Sequence, residues 1–362
     1  MAIQTPTNPG SSGGRFEVLR VAREQGLIDD ETLLRADVEL RVADRRNTNT
    51  VVVIDGVPRW FAKQARSGSP AHLVEHEAGL LSRWLDDRRL ATPRLVAYDA
   101  PRCVAITAFV DDAETLAARL ERLGRLNLAI ARQLGRQLAR LHARLRWSAA
   151  RPASFELRPT PPWCYSLAAP LAETLADASA GSLRLLARVQ STALAEALDR
   201  LTAAWQPTTL VHNDLKFDNV LVGRSRPFEI TIADWETGAS GDPAWDVGSL
   251  VGEFLTAWLA SMSPDRDASI DEIRASATRP LAAMLPVIRA YLDAYRAGAD
   301  ASPEFLYRTV ANAGARVLQS AYESLQDHRS LTPLSALQMQ LAVNIISRPE
   351  QAAVRLLELG AA

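Results

Sequence analysis

The sequence predicts an α+β fold of two lobes, a small β-rich one over residues 15–110 and a larger, mainly helical one over residues 111–362. Three observations carry this. At 362 residues the chain is long for one domain and can bury a sizeable core. Runs rich in β-branched and aromatic residues, separated by turn signals, fall in the first 110 residues and in a short stretch around residue 220. From residue 114 onward most of the remaining text places apolar residues three and four apart, the period of a helix.

Taken in order, residues 1–14 are mostly Pro, Gly, Ser and Thr with almost nothing to bury, and are expected to be disordered. Phe16–Gln25 and Asp30–Val38 read as short leading helices. Thr48–Ile54 and Arg59–Lys63 are β-rich and flank Asp55-Gly56, a hairpin signal. Ala71–Leu85 is expected to be a helix with Leu73, Glu77, Leu80, Leu81 and Trp84 on one face. Glu77 thus interrupts an apolar face and needs a cation, Lys63 or an arginine. Arg94–Tyr98 and Cys103–Val110 read as two more strands. Glu114–Leu145 reads as helix, with His142 as a packed or capping residue near its end. Arg151–Pro170 is rich in proline and aromatics and is expected to be irregular. Helices are expected around Leu171–Ala204, at Ser249–Met262 and at Pro280–Arg296, Pro303–Leu325, Pro333–Ile346 and Pro349–Leu359, with proline near several starts.

Composition excludes several functions. The 41 basic and 42 acidic residues leave a net charge of −1, so no charge argument favours nucleic acid or a membrane surface. Cys103 and Cys164 make no disulfide framework, which points to a reducing compartment. No run reaches the roughly 18 uninterrupted apolar residues of a membrane span; the best, Val247–Met262, carries Glu253. The first residues lack the basic flank and apolar core of a signal peptide, and a cytoplasmic protein is expected. Only two lysines, Lys63 and Lys216, stand among the 41 basic residues. In a chain that uses arginine for almost every cation, these two mark places where a compact ammonium is needed.

The densest chemistry lies in Leu210–Glu236. A β-prone piece (Thr208–Val211) runs into a polar loop (His212–Asn219), followed by Val220–Val222, a turn and Glu229–Ala233, which ends on Asp234. Asp214, Asn219 and Asp234 therefore sit at loop positions on a β scaffold. Phosphoryl transfer from ATP needs such a set: a carboxylate to orient and deprotonate the attacking hydroxyl, and a carboxylate with an amide oxygen to hold Mg²⁺. His212, Asp214 and Asn219 fit the H-x-D-x-x-x-x-N spacing, and Asp234-Trp235-Glu236 supplies the D-x-x motif expected fifteen residues on.

At these motifs the chain resembles the aminoglycoside phosphotransferase and choline kinase family of the protein-kinase-like superfamily. Asp234-Trp235-Glu236 and the Gly241–Gly248 run GDPAWDVG mark this branch. The resemblance implies a two-lobed protein-kinase-like fold, with Lys63 on ATP phosphates and Glu77 holding Lys63. It also implies Asp214 as the base, and Asn219 and Asp234 on Mg²⁺. Lys216 would touch the transferring γ-phosphate. Thr107-Ala108-Phe109-Val110-Asp111 resembles the hinge between lobes, where backbone groups of Thr107 and Phe109 would meet adenine. The Gly-rich phosphate loop is missing; Asp44–Thr50 stands in its place, and Asn47 and Asn49 could donate to the triphosphate or form a polar turn. Asp246 would cap the following helix and brace the catalytic loop.

The expected partner is a small-molecule hydroxyl acceptor of aminoglycoside, sugar or amino-alcohol type. Lys216 keeps a second reading open, since small-molecule members often carry histidine there and Ser/Thr protein kinases carry lysine. The acceptor would then be a peptide hydroxyl in a peptide-modification pathway. A third reading, an inactive nucleotide-binding module, predicts loss of a base or metal residue, and none is missing.

Overall fold

The computed structural model describes residues 12–44, 47–66, 71–147, 157–226, 228–263, 269–299 and 302–357. The chain divides into two compact units, one of Met1–Ala113 with Thr231–Thr237 and one of Glu114–Ile230 with Gly238–Ala362. The expected disordered segment lies outside the described residues up to residue 11; Ser12–Gly14 already belong to a helix.

The first unit opens with α1 (Ser12–Glu24) and α2 (Asp30–Arg35), then β1 (Val38–Asp44), β2 (Thr48–Ile54), β3 (Val57–Gln64), α3 (Ala71–Arg83), β4 (Leu95–Asp99) and β5 (Val104–Ala108). The five strands form an antiparallel sheet in the order β1-β2-β3-β5-β4. β1 is a correction. The expected helix over Asp30–Val38 stops at Arg35, because Val38, Leu40 and Val42 alternate with polar residues at the strand period. The expected turn over Asp44–Thr50 accordingly shrinks: Asp44 pairs with Thr48, and Asn49 and Thr50 are strand residues.

Alternation sorts the sheet's two faces. Val52, Ala62, Val104 and Ile106 join Val18, Val21 and Ala22 of α1 in one core. Ala105 faces the other way and packs with Val74 and Ala78 of α3. Lys63 is the register partner of both Ala105 and Asn49, so it shares their face, the one that α3 covers.

The second unit begins in β6 (Ala113–Thr115), α4 (Leu116–Leu123) and α5 (Leu128–Arg144). The single helical stretch expected here is broken at Gly124, a left-handed C-cap whose N–H donates to Leu120 O. A 3₁₀ turn (Trp163–Ala168), α6 (Ala172–Ala176), α7 (Ala180–Gln190) and α8 (Leu194–Ala203) lead to β7 (Thr209–Val211). A 3₁₀ turn (Phe217–Asn219), β8 (Val220–Gly223) and β9 (Ile230–Ile232) follow, then β10 (Ala239–Gly241), which pairs antiparallel with β7. Next come α9 (Pro243–Leu259), α10 (Ile270–Ala275), α11 (Leu281–Arg296), α12 (Pro303–Glu323), α13 (Pro333–Ser347) and α14 (Pro349–Leu357). α9 starts six residues before the expected Ser249, because Asp242 caps it by accepting from Ala244 N at 2.9 Å and Pro243 fits its first turn. The cap expected of Asp246 is therefore supplied by Asp242. No helix among the described residues is long and apolar enough to cross a membrane.

α12 is the spine of this unit and is buried nearly all round. It lies close against α9 because Gly248 and Gly252, one turn apart, present no side chain to it. A Cβ on Gly248 would sit 2.7 Å from Asn312 Cβ, and one on Gly252 2.7 Å from Arg316 Cβ and 2.8 Å from Ala313 O. Helix propensity alone would make Gly248→Ala stabilising by up to about 1 kcal/mol. The overlap reverses the sign, and we expect Gly248→Ala to lose about 1–3 kcal/mol in urea unfolding.

Candidate active site

Two constellations contain the residues singled out from the sequence, one in each unit. In the first, Lys63 closes β3 and is only 7% exposed. Its ammonium donates to Glu77 Oε2 at 2.7 Å, to Glu236 Oε2 at 3.0 Å, and to Asp234 Oδ1. Burial works against the charged ammonium, but Glu77, Asp234 and Glu236 outweigh it and hold the pKa above its ordinary value. For Glu77 burial is the larger influence and pushes its pKa up, while the attraction of Lys63 opposes it. Glu77 also accepts the Trp235 N–H at 3.0 Å on its other oxygen, so one carboxylate of α3 fixes both the lysine and the loop after β9. The inward face read from the α3 pattern therefore turns Glu77 onto Lys63 and not onto an arginine.

Asp234 itself takes a left-handed backbone (φ 67°), a conformation that costs a non-glycine residue energy and is held here by its surroundings. Asn47 is buried and donates from Nδ2 to Glu236 Oε2 at 3.2 Å. Asn49 lies across the ladder from Lys63, and its Oδ1 is buried with no hydrogen-bond partner. One ammonium faces three carboxylates, and oxygens of Glu77, Asp234 and Glu236 all lie within 4.8 Å of one another. That surplus of hard oxygen donors fits a divalent cation such as Mg²⁺. Thr107 and Phe109 are not part of this cluster: Thr107 Oγ1 donates to Phe61 O at 3.3 Å. The amides of Ala108 and Phe109 donate to Arg94 O and Arg59 O.

In the second unit β7 delivers the loop His212–Asn219, and α9 holds it from behind. Asp246, fully buried, accepts from His212 N at 2.7 Å and Asn213 N at 3.1 Å, and its Oδ2 lies 3.3 Å from His142 Nε2. Asn213 is held with φ 68°, and Trp245 Nε1 donates to its carbonyl at 3.0 Å. Two turns further along α9, Glu253 accepts the Phe217 N–H at 3.2 Å. Between these anchors Asp214 presents a carboxylate 25% exposed, its Oδ2 accepting from Lys216 Nζ at 2.6 Å. Burial disfavours the Lys216 ammonium, but Asp214 more than offsets it and raises the pKa. Asn219 Nδ2 donates to Asp214 O at 2.9 Å, which leaves its Oδ1 as the atom available to a cation. Arg316 of α12, 3% exposed, completes the group: Nη1 lies 3.4 Å from Asp214 Oδ1 and Nε donates to Glu253 Oε1 at 3.1 Å.

Each unit thus brings its own residues together: Lys63, Glu77 and Asp234 in one, Asp214, Lys216 and Asn219 in the other. Asn219 and Asp234, paired as metal ligands by the sequence argument, belong to different units. Three partners lay outside the sequence argument. Glu236 stood in the quoted motif without a role. Glu253 carried a visible signal, a charge inside an otherwise apolar helical run, and Arg316 is the one charge between Arg308 and Glu323.

A model of the phosphotransferase enzyme family matches residues 38–300. No curated protein sequence matches. Among solved structures, the chain is similar to an ethanolamine kinase from Plasmodium vivax, with TM-score 0.61 and 12% identity over 95% of this chain and 91% of that one. It is similar to a choline/ethanolamine kinase family protein from Mesorhizobium loti, with TM-score 0.52 and 16% identity over 96% and 100%. A macrolide 2′-phosphotransferase from Brachybacterium faecium gives TM-score 0.51 and 16% identity over 97% and 99%. Identities this low speak to the fold alone, which is protein-kinase-like.

Removing the central cation leaves three carboxylates facing one another. Lys63→Met should cost about 3–5 kcal/mol in denaturant unfolding, the scale of breaking a buried ion pair from one side. The folded-state pKa of Lys63 is raised, so its contribution is complete below the ordinary lysine value and fades above it. The stability gap between wild type and variant should stay flat from neutral pH to about 10 and narrow beyond roughly 10.4.

Proposed function

Because the chain belongs to the phosphotransferase enzyme family, we propose that it moves the γ-phosphate of ATP to a hydroxyl of a small molecule, with Asp214 as the base. The observation that carries this reading is the Lys63 cluster: a buried ammonium surrounded by Glu77, Asp234 and Glu236. A structural ion pair needs one carboxylate, whereas a cation-and-phosphate site needs the excess of oxygen donors seen here. The similar structures are named as kinases of ethanolamine or choline and as a phosphotransferase of macrolides, which supports a small-molecule acceptor.

In this reading Lys63 would bind the α- and β-phosphates, and Asp234 and Glu236, which it pairs with here, would offer oxygens to a cation. Asp234, with Glu236 in support, would hold Mg²⁺, which would supply charge neutralisation for the phosphate oxygens, and Asn219 Oδ1 is the second unit's candidate metal ligand. Asn47 keeps Glu236 oriented. Since the amides of Ala108 and Phe109 already donate within the first unit, these two residues would serve a base through carbonyl oxygens. Asp214 Oδ2 and Lys216 Nζ lie within hydrogen-bonding distance, so the acceptor hydroxyl would approach a carboxylate already aligned. The acceptor oxygen bonds to the γ-phosphorus as the bond to the β-phosphate bridge breaks, ADP departs with the electron pair, and the hydroxyl proton passes to Asp214. In so loose a transition state proton transfer comes late, and positioning and charge neutralisation supply most of the acceleration.

ATP consumption measured against ethanolamine, choline, sugars, aminoglycosides, macrolides and Ser/Thr peptides identifies the acceptor; turnover with peptides alone would overturn the small-molecule assignment. Asp214→Asn should slow ADP release from Mg²⁺·ATP, with water or acceptor, by about 10²–10⁴ while ATP still raises the melting temperature. In Asp234→Ala the part of that thermal shift that depends on Mg²⁺ should vanish. A Mg²⁺-dependent shift equal to wild type would remove Asp234 from the metal site.

A further inference from the structure

Arg316 lies beyond the residues that match the family model, on a helix that no motif in the chain points to. Among the described residues of the second unit it is nevertheless the cation with the most carboxylate partners. Its guanidinium is nearly sealed from solvent and faces three carboxylates: Glu253 at 3.1 Å, Asp214 at 3.4 Å and Glu323 at 4.0 Å. Holding so polar a group in a helix core is costly unless its geometry does something that an apolar side chain would not.

The geometry points to Arg316 as a positioning residue for Asp214, an inference that rests on Asp214 being the base. Three observations converge. Asp214 is gripped at both oxygens, Oδ2 by Lys216 at 2.6 Å and Oδ1 by Arg316, so its carboxylate plane is fixed by two cations from opposite ends. Lys216 is in the same loop as Asp214 and moves with it. Arg316 is anchored elsewhere, on a helix in the unit's core, and ties the carboxylate to a frame the loop does not share. Glu253 bonds Arg316 Nε with one oxygen and the Phe217 N–H with the other, so one side chain registers the guanidinium and the loop backbone to α9 together. Finally, Gly252 leaves Arg316 Cβ room to lie against α9; a Cβ there would be 2.7 Å away.

The fixed fork of a guanidinium makes the role specific. Nε serves Glu253 while Nη1 faces Asp214, and a lysine has one nitrogen for both. Arg316→Lys keeps the charge and loses the bridge, so it separates charge from placement.

The test measures ADP release from Mg²⁺·ATP with water as the acceptor, in wild type, Arg316→Lys, Asp214→Asn and the double variant. The proposal expects Arg316→Lys to lower kcat by about 10–100-fold, the scale of a base misplaced by an ångström, with the KM for ATP within about twofold of wild type. In the Asp214→Asn background the same change should cost less than about twofold, because the group it positions is gone. An equal fold-loss in both backgrounds, a loss carried by KM, or wild-type kcat in Arg316→Lys would overturn the proposal. If Asp214→Asn itself turns over like wild type, the base assignment fails and the proposal with it, a result distinct from the others. Should Arg316→Lys not fold, Glu253→Gln takes its place. It keeps an acceptor for the Phe217 amide and releases the guanidinium from its anchor, and the same split between backgrounds is expected.

Discussion

The first unit is arranged around one buried ammonium that cannot be left alone. Lys63 stands on the α3-facing side of β3, where its neighbours across the ladder are Asn49 and Ala105. An apolar residue at that position would complete an ordinary sheet–helix core. A lysine there needs a carboxylate from α3, and Glu77 on the buried face of that helix meets it. Glu77 then has a second oxygen to satisfy, which takes the Trp235 N–H and so draws the loop after β9 into the first unit. Register, helix placement and a chain segment more than 150 residues distant are coupled through one charge and its partner.

The second unit solves a similar problem with acids on a helix. Asp242, Asp246 and Glu253 all belong to α9 or its cap, and none serves only its own helix. Asp242 caps the helix while accepting from Gln206 N and Arg308 Nε; Asp246 holds the start of the loop His212–Asn219, and Glu253 its end. Asp246 and Glu253 are seven residues apart, two turns, so they share a face. A loop whose N–H groups point at fixed carboxylates has few ways to rearrange, which is what a site dependent on ångström-scale placement requires.

Much of this was legible in the sequence, and the reasons are specific. Lys63 and Lys216 were visible because arginine fills nearly every other cationic position. Glu77 was visible because it broke an apolar helical face, and the strand–loop–strand spacing marked Asp214, Asn219 and Asp234. β1 was missed because Asp30–Val38 carries helix formers up to the point where the alternation of Val38, Leu40 and Val42 begins. The two helices α4 and α5 read as one because only the four residues Gly124–Asn127, one of them glycine, separate similar periodicities. Asn47 could be marked as polar, but its bond to Glu236 links residues 189 apart, which local pattern cannot supply. Arg316 was hidden for the same reason: as the one charge between Arg308 and Glu323 it was readable, its partners were not.

Under the proposed reading, the two cations on Asp214 matter for where its carboxylate lies, since Lys216 and Arg316 hold one oxygen each. In a transition state with early, associative attack the base would need to draw the proton before the phosphorus bond forms, and proton affinity would count for most. In a loose transition state the acceptor oxygen becomes acidic only once it has begun to bond to phosphorus, and a well-placed acceptor is then sufficient. Orientation becomes the scarcer quantity than proton affinity. A site that spends two cations, one of them buried in a helix core, to fix the plane of a single carboxylate is built for that regime.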